Sequence, residues 1–186
     1  MDFYKSISKI GKEKVLYAPK QEVPKFIQEE KILNELSHIV KNGCRVFVYG
    51  DYDADGAYSV EIIRRAFDYL GHDNYECFKY VGRTHSVDVS AVNKAITEGF
   101  EYMIICDAGS SDPDLMMRLH MMGVKVMLFD HHQTPFSYHD FPHTFMINTS
   151  IENRVRDEEV IICTGALVYL VFDKLILKLG RPELKS

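Results

Sequence analysis

The stretch from Arg45 to Ala57, which reads RVFVYGDYDADGA, decides the fold. Its apolar first part is typical of a buried strand, and Gly50 marks the end of that strand. Three aspartates follow at alternate positions: Asp51, Asp53 and Asp55. Gly56 then leads into a segment in which apolar residues recur at helical spacing. The pattern predicts a strand-to-helix turn, which in an open α/β sheet lies at the carboxyl end of the strand and faces a ligand-binding crevice.

The three carboxylates of this turn have two interpretations. A solvated acidic turn needs no ligand, whereas a cation site would use the carboxylates as oxygen ligands. Like charges packed this closely repel one another and do not stabilise the fold by themselves. Evidence for either interpretation must therefore come from the rest of the chain.

The rest of the chain alternates apolar strands with amphipathic helices. Beyond the first strand, strands are predicted at residues 75–81, 102–106, 125–129 and 144–149. Helices are predicted at residues 22–41, 58–70, 88–98, 113–122 and 162–179, and residues 152–159 are predicted to be an irregular charged connection. The alternation indicates an α/β fold, with a Rossmann-like, mostly parallel sheet of about five strands flanked by helices. We expect one domain over residues 1–186, of which residues 1–21 form an N-terminal arm.

Two further strands end in the same way as the first. The strand at residues 102–106 runs into Asp107, and the strand at residues 125–129 runs into Asp130, His131 and His132. Parallel strands present their carboxyl ends at the same edge of a sheet. Three strands are therefore predicted to bring carboxylate and imidazole groups to one edge, which favours the cation site.

The mixture of ligand types narrows the choice of cation. Carboxylates suit hard divalent cations and imidazole suits borderline ones, so the set favours Mn²⁺ or Mg²⁺, with Zn²⁺ or Co²⁺ as alternatives. Five or more candidate ligands exceed what one cation holds while keeping an open position. This favours two cations that share a carboxylate, about 3.5–4 Å apart, an arrangement suited to hydrolysing phosphate esters.

Composition excludes several classes of protein. The N-terminus lacks the apolar region of a secretory signal, no apolar run is long enough to cross a membrane, and the four cysteines form no CxxC pair, so we expect a cytoplasmic protein. The formal net charge of −5 argues against a uniformly basic nucleic-acid-binding surface, although a local basic groove can coexist with an acidic total. GxGxxG, Walker and GxSxG motifs are absent from the sequence.

Three segments together resemble the first three motifs of the DHH phosphoesterases, and specifically the RecJ-like branch of single-strand exonucleases. They are Gly50–Gly56, Cys106–Gly109 and Asp130–Gln133. Gly82–Arg83, Ile147–Asn148 and Thr164–Leu167 also resemble this branch. The resemblance covers roughly residues 46–179.

The resemblance implies a phosphodiesterase that uses two divalent cations, Mn²⁺ or alternatively Mg²⁺. By motif position, Asp53 would bind one cation, Asp55 and His131 would bind the other, and Asp107 would bridge the two. Asp51 would be a third ligand, or it would contact one of the ligands without binding a cation itself.

Other positions of the motifs imply roles toward the substrate. His132 would contact the scissile phosphate or assist the leaving group, and Asp130 would orient the histidine pair. The implied catalytic residues are His132, Asp130 and Asp107. The implied substrate-binding residues are Arg83, His132 and Asn148.

The implied activity is hydrolysis of single-stranded DNA from the 5′ end, as in DNA repair. Two family features are missing from the sequence: an aspartate after the last helix, which is the fourth motif, and the DHH-associated second domain. Either the metal site is completed differently, or the chain is a fragment of something longer. We expect a single catalytic domain over residues 1–186, and a protein partner that supplies substrate contacts stays open. Two alternatives also stay open: a phosphodiesterase of short oligonucleotides or cyclic dinucleotides, and a catalytically silent DHH scaffold module in DNA replication or repair.

Overall fold

Five short apolar segments form the centre of the fold. The structure, a computed structural model, describes residues 25–79, 82, 86–156 and 162–180. Its strands are β1 (Val46–Gly50), β2 (Tyr75–Lys79), β3 (Tyr102–Cys106), β4 (Lys125–Asp130) and β5 (Thr144–Asn148). Its α-helices are α1 (Glu29–Asn42), α2 (Ala54–Leu70), α3 (Val89–Thr97), α4 (Pro113–Met121), α5 (Thr149–Arg156) and α6 (Thr164–Leu179). The predicted N-terminal arm lies outside the described residues.

The strands form one sheet in the order β2-β1-β3-β4-β5. All four strand pairs are parallel, so the α/β prediction is confirmed and the sheet is parallel throughout the part that the structure describes. The chain moves outward in one direction from β1 to β2 and in the other from β3 to β5. The switch point between β1 and β3 is where open sheets of this kind bind ligands, outside the carboxyl ends of the strands.

Helices cover both faces of the sheet because each strand is apolar on both sides. In β1, Val46 and Val48 face the core beneath α1, α2 and α6, and Phe47 and Tyr49 face the core beneath α3 and α4. All four side chains are fully buried. Continuous apolar runs of this kind are characteristic of parallel strands.

The turn after β1 is tighter than the sequence pattern suggests. We predicted a helix from residue 58, but α2 begins at Ala54, because Oδ1 of Asp53 accepts hydrogen bonds from the amides of Asp55 (2.9 Å) and Gly56 (3.1 Å) and caps the helix. A Cβ atom on Gly56 would lie 2.5 Å from the nitrogen of Asp51, so only glycine allows this close approach. The aspartates therefore lie at a helix N-terminus.

Two other predicted boundaries are wrong. Residues 25–28 precede α1, which begins at Glu29 and not at residue 22. Within the connection predicted to be irregular over residues 152–159, residues 152–156 are helical as part of α5 (Thr149–Arg156), and residues 157–159 lie outside the described residues. The charged Glu152 of α5 is 2% exposed and accepts hydrogen bonds from the amide of Ile27 (3.0 Å) and the hydroxyl of Tyr138 (2.6 Å), contacts that no local pattern reveals.

None of the described helices combines the length and the apolar composition that a bilayer-crossing segment needs.

Candidate metal centre

The carboxyl edge of the sheet brings the ends of β1, β3 and β4 together. The amide of Asp51 donates to the carbonyl of Cys106 (3.2 Å), and the amide of Asp107 donates to the carbonyl of Phe129 (2.8 Å). The strand pairing thus continues one residue beyond β1 and β3. Each acidic residue is therefore fixed in register with its neighbour by backbone hydrogen bonds.

Asp107 belongs to two groups of potential cation ligands. One ligand atom each from Asp51, Asp53 and Asp107 lie within 4.8 Å of one another, and the same holds for Asp107, His131 and His132. A carboxylate common to two groups is the arrangement required of a bridging ligand between two cations.

Asp107 itself has the properties expected of a cation ligand. Its side chain is fully buried, Oδ1 accepts a hydrogen bond from Oγ1 of Thr164 (2.9 Å), and Oδ2 has no partner among the described residues. Burial, together with the charges of Asp55 and Asp53, raises the pKa of Asp107 to about 7. Its φ of 64° lies in the left-handed region, which few non-glycine residues occupy. A divalent cation would satisfy the unpaired oxygen and offset the repulsion, so the site fits a metal.

Asp55 is held by the start of α6. The amides of Thr164 and Gly165 each donate to one of its carboxylate oxygens at 2.7 Å. A Cβ atom on Gly165 would lie 3.0 Å from Oδ1 of Asp55, a tight contact that would press on this carboxylate. The N-terminus of α6 therefore stabilises a carboxylate more than 100 residues earlier in the chain.

His131 faces the same carboxylates. Its Nε2 lies 3.4 Å from Oδ1 of Asp107 and 3.7 Å from Oδ2 of Asp55. His131 thus lies near both carboxylates, although Asp55 belongs to neither group of ligand atoms that lie within 4.8 Å of one another.

His132 differs from His131 because Asp130 holds it. Its Nδ1 lies 2.7 Å from Oδ1 of Asp130, and the hydrogen bond between them raises the pKa of His132 to about 9. Burial would raise the pKa of Asp130, but the hydrogen bonds from His132 and Ser110 lower it below its ordinary value. The contact with Asp130 therefore favours the imidazolium form of His132, which suits contact with a phosphate better than binding of a cation.

The predicted substrate-binding residues have different placements. His132 lies at the site, whereas Arg83 falls outside the described residues. Asn148 is fully buried, and its Nδ2 donates to Oγ of Ser110 (2.8 Å) and to the carbonyl of His132 (3.1 Å). This placement favours holding His132 in position over direct contact with a substrate.

Thr164 and Gly165 are the site residues to which we assigned no role from the sequence. Both stand in the segment that resembles the family, yet nothing in their spacing shows that they contact Asp107 and Asp55. The only local signal is a threonine and a glycine at the start of a predicted helix, which is also typical of ordinary helix starts.

Two cavities flank this metal centre. One of about 270 Å³ is lined by Ser86, Val87, Gly109, Ser110, Ser111, Asp112, Asp130, His132 and Gln133. The other has about 250 Å³ and is lined by Gly50, Asp51, Tyr52, Ala57, Val60, Cys77 and Phe78. Asp130 and His132 belong to the lining of the first cavity and Asp51 to that of the second, so both cavities border the metal centre.

Residues 45–184 match the N-terminal domain of the DHH family. The chain belongs to the DHH family. Its members normally hydrolyse phosphodiester bonds. It is 28% identical over 105 residues to the single-stranded-DNA-specific exonuclease RecJ of Escherichia coli, a match that covers 55% of this chain and 18% of that protein. It is 26% identical over 108 residues to the same enzyme of Haemophilus influenzae, with 57% of this chain and 19% of that protein covered.

One solved structure of a related protein shows the same fold as this chain. An exonuclease RecJ bound to manganese matches with a TM-score of 0.73 and 21% identity, over 88% of this chain and 41% of that one. The DHH chain thus spans about a fifth of the length of the curated relatives and less than half of the solved one.

Proposed function

We propose that this DHH domain is a phosphodiesterase that uses two divalent cations to hydrolyse single-stranded DNA, as a 5′ to 3′ exonuclease. The observation that carries the proposal is the placement of Asp107, a buried carboxylate with one oxygen unpaired among the described residues. It forms a group of potential ligands with Asp51 and Asp53, and its Oδ1 also lies 3.4 Å from Nε2 of His131. A shared carboxylate of this kind has no use in a solvated turn, and it destabilises a fold that binds no cation.

The residues that would hold the cations divide into two sets around Asp107. Asp51 and Asp53 would hold one cation, Asp55 and His131 the other, and Asp107 would bind both. When bound, such a pair supplies a water of lowered pKa and positive charge for the phosphate oxygens. Mn²⁺ suits the mixture of carboxylate and imidazole best, and Mg²⁺ suits the carboxylates alone.

The protein's own contribution to the reaction would come from His132. Asp130 keeps this imidazole charged and fixes the orientation of its ring through the 2.7 Å contact at Nδ1. Nδ2 of Asn148 holds the backbone of His132 by a hydrogen bond to its carbonyl oxygen. His132 would therefore hold a phosphate oxygen or donate a proton to the leaving oxygen, the two tasks for which a positioned imidazolium is suited.

The choice of substrate rests on the relatives. Two proteins with which this chain shares 26–28% identity are named single-stranded-DNA-specific exonucleases. Single-stranded DNA presents phosphates and unstacked bases, and two cavities lie beside the metal centre, one lined in part by serines and His132 and the other in part by Asp51 and Tyr52. Arg83 is the residue that we expect to contact a phosphate, and a protein partner would add further positive charge to this acidic chain.

One alternative has an observation in its favour. Both cavities are smaller than the 300–1,000 Å³ typical of ligand sites, which suits a phosphodiesterase of short oligonucleotides. A catalytically silent scaffold module is disfavoured because it would gain nothing from the backbone strain and charge repulsion at Asp107.

Hydrolysis of end-labelled substrates tests the proposal. A long single strand and a dinucleotide would be incubated with Mn²⁺, Mg²⁺ or EDTA, using the parent, Asp107→Asn and, as control, the exposed Asp73→Asn. Asparagine tolerates the left-handed conformation, so Asp107→Asn removes charge without adding strain. We expect Mn²⁺-dependent release of 5′ nucleotides by the parent and by Asp73→Asn, and no release in EDTA.

Asp107→Asn should be slower by more than about 100-fold, since even loss of a residue that orients a metal ligand costs about 10- to 100-fold. Hydrolysis by Asp107→Asn at the parent's rate would contradict the proposal. Faster cleavage of the dinucleotide than of the long strand would favour the short-oligonucleotide alternative.

A further inference from the structure

A third cavity lies at the opposite end of the strands from the metal centre. The first residues of β4 and β5, Lys125 and Thr144, are part of its lining, whereas the metal centre lies where β4 ends. It has a volume of about 490 Å³, which is within the 300–1,000 Å³ typical of small-molecule sites. This cavity, which we call the basic cavity, is therefore large enough for a whole ligand.

Lysine and histidine side chains from separate segments meet in the basic cavity. They are Lys31 of α1, His120 of α4, Lys125 of β4, and His139 and His143 between β4 and β5. Three of the eight histidines of the chain thus line this cavity, and none of the described acidic residues does. In a chain of net charge −5, the groups that bind anions are concentrated here.

The two lysines have different surroundings. Nζ of Lys125 donates to Oε1 of Glu35 (2.7 Å) and to the hydroxyl of Tyr102 (3.0 Å), so its position is fixed and part of its charge is offset. Lys31 is exposed and forms no ion pair with another described residue. Together they place one fixed and one mobile ammonium group at the cavity, and a flexible lysine can follow the position of a bound anion.

His120 and His143 stack on each other. Their rings are nearly parallel, with 9° between the planes and 3.8 Å between the centroids. A metal ion bound by both rings would have to lie close to both ring planes, which this stack does not allow, and neither residue belongs to a group of three potential ligands among the described residues. Two protonated rings in this arrangement repel each other, and a bound anion offsets the repulsion. The pair therefore suits an anion better than a cation.

Aromatic side chains form another part of the lining. Phe141 is buried and packs edge-on against Phe136 (centroids 6.2 Å apart), and the hydroxyl of Tyr138 donates to Oε1 of Glu152 (2.6 Å). Both rings are thus held by contacts outside the cavity. An occupant that uses the whole lining has an anionic group for the lysines and histidines and a flat, apolar group for the aromatic rings.

We propose that the basic cavity binds a nucleoside monophosphate. Lys31, Lys125 and the stacked histidines bind the phosphate, and the base contacts the aromatic rings. Inorganic phosphate alone uses only the basic groups, and a nucleoside without phosphate leaves their charges without a partner. This site goes beyond the proposed function, because it is separate from the metal centre and requires no divalent cation.

Calorimetric titration in EDTA tests the site. Deoxyadenosine monophosphate, inorganic phosphate and deoxyadenosine would each be titrated into the parent, Lys31→Gln, His143→Phe and, as control, Lys41→Gln. His143→Phe keeps a flat ring against His120 and removes the imidazole nitrogens. Lys41 is a matched control, since it is an exposed lysine of α1 that does not line the cavity.

The parent should bind deoxyadenosine monophosphate about 10-fold more tightly than either inorganic phosphate or deoxyadenosine. Lys31→Gln and His143→Phe should each bind the nucleotide about 10-fold more weakly than the parent, the usual cost of one hydrogen bond to a charged group. Lys41→Gln should bind it as the parent does. A parent that binds no nucleotide, or that binds inorganic phosphate as tightly as the nucleotide, would overturn the inference.

His132→Gln distinguishes this site from the metal centre. A nucleotide held beside His132 would be bound more weakly by His132→Gln and equally well by His143→Phe, which would also overturn the inference. The expected result is the reverse. A parent without hydrolytic activity whose nucleotide binding depends on Lys31 and His143 would still support the site, and an active nuclease whose binding depends on neither would contradict it.

Discussion

Charged side chains have partners of opposite charge at one edge of the sheet and repel one another at the other edge. At the amino edge, where the strands begin, Oε1 of Glu35 accepts hydrogen bonds from the hydroxyl of Tyr102 (2.6 Å) and from Nζ of Lys125 (2.7 Å). Arg45 lies 4.1 Å above the ring of Phe100. At the carboxyl edge, by contrast, Asp107 is buried among other carboxylates with one oxygen unpaired among the described residues.

The difference separates stability from function. Compensated charges at the amino edge stabilise the fold, whereas repelling carboxylates at the carboxyl edge lower its stability in the absence of a cation. A fold keeps such a local conflict where it serves binding or catalysis. Variants at the carboxyl edge should therefore change hydrolysis, and loss of the compensating charges at the amino edge should change stability and not hydrolysis.

Thr164→Val should give the largest effect of the three variants described here. It removes the hydroxyl that donates to Oδ1 of Asp107 and leaves the backbone amide that binds Asp55 unchanged. We expect kcat/KM in Mn²⁺ to fall about 10- to 100-fold, the usual cost of losing a group that orients a metal ligand. Thr164→Ser keeps the hydroxyl and should retain the parent's activity. A fully active Thr164→Val variant would contradict the claim that contacts at the carboxyl edge serve activity.

Glu35→Ala should change stability and leave activity unchanged. The hydroxyl of Tyr102, a residue only 1% exposed, would lose its acceptor. The free energy of unfolding should fall by about 1–3 kcal/mol, the cost of an unsatisfied buried polar group. Urea denaturation measures this effect, with the exposed Glu30→Ala on the same helix as control. Loss of hydrolysis in folded Glu35→Ala would show that the two edges are not independent.

His72 is an exception among the polar groups at the amino edge. Its Nε2 is buried without a partner among the described residues, and its ring contacts Phe67 at 4.7 Å. Burial lowers the pKa of His72 below its ordinary value, so the folded state favours the neutral ring. Its contribution to stability is complete above about pH 6.5, the pKa in the unfolded chain, and is lost as the pH falls toward the lower pKa of the folded state.

His72→Phe should remove this small pH dependence and keep the ring contact with Phe67. Thermal unfolding in EDTA between pH 7.5 and 5.5 should show a smaller decrease for the variant than for the parent. Equal decreases would mean that the unpaired nitrogen at this edge costs nothing on acidification.

The sequence predicts the sheet and the convergence of its charged ends well, for a physical reason. In a parallel sheet both faces of each strand are buried, so Val46–Gly50 and Tyr102–Cys106 are continuous apolar runs that end where the chain leaves the core. The residues just beyond those ends, such as Asp51 and Asp107, must then lie at one edge.

Features that depend on contacts between distant segments are not predictable in this way. The support of Asp55 by Thr164 and Gly165 joins segments 109 and 110 residues apart, and α5 depends on a buried Glu152 bound by Ile27 and Tyr138. The early start of α2 is a different case. Asp53 is an ordinary helix cap, but an apolar periodicity gives no signal for a first turn that contains no apolar core residue.

Calorimetric titration with Mn²⁺ tests most directly whether Asp107 is shared between two cations. The parent should bind two Mn²⁺ ions per chain, and its thermal stability should rise with Mn²⁺ concentration because only the folded state has the site. Asp107→Asn should weaken both binding events, whereas Asp73→Asn should weaken neither. Two ions bound by Asp107→Asn with the parent's affinity would contradict the account.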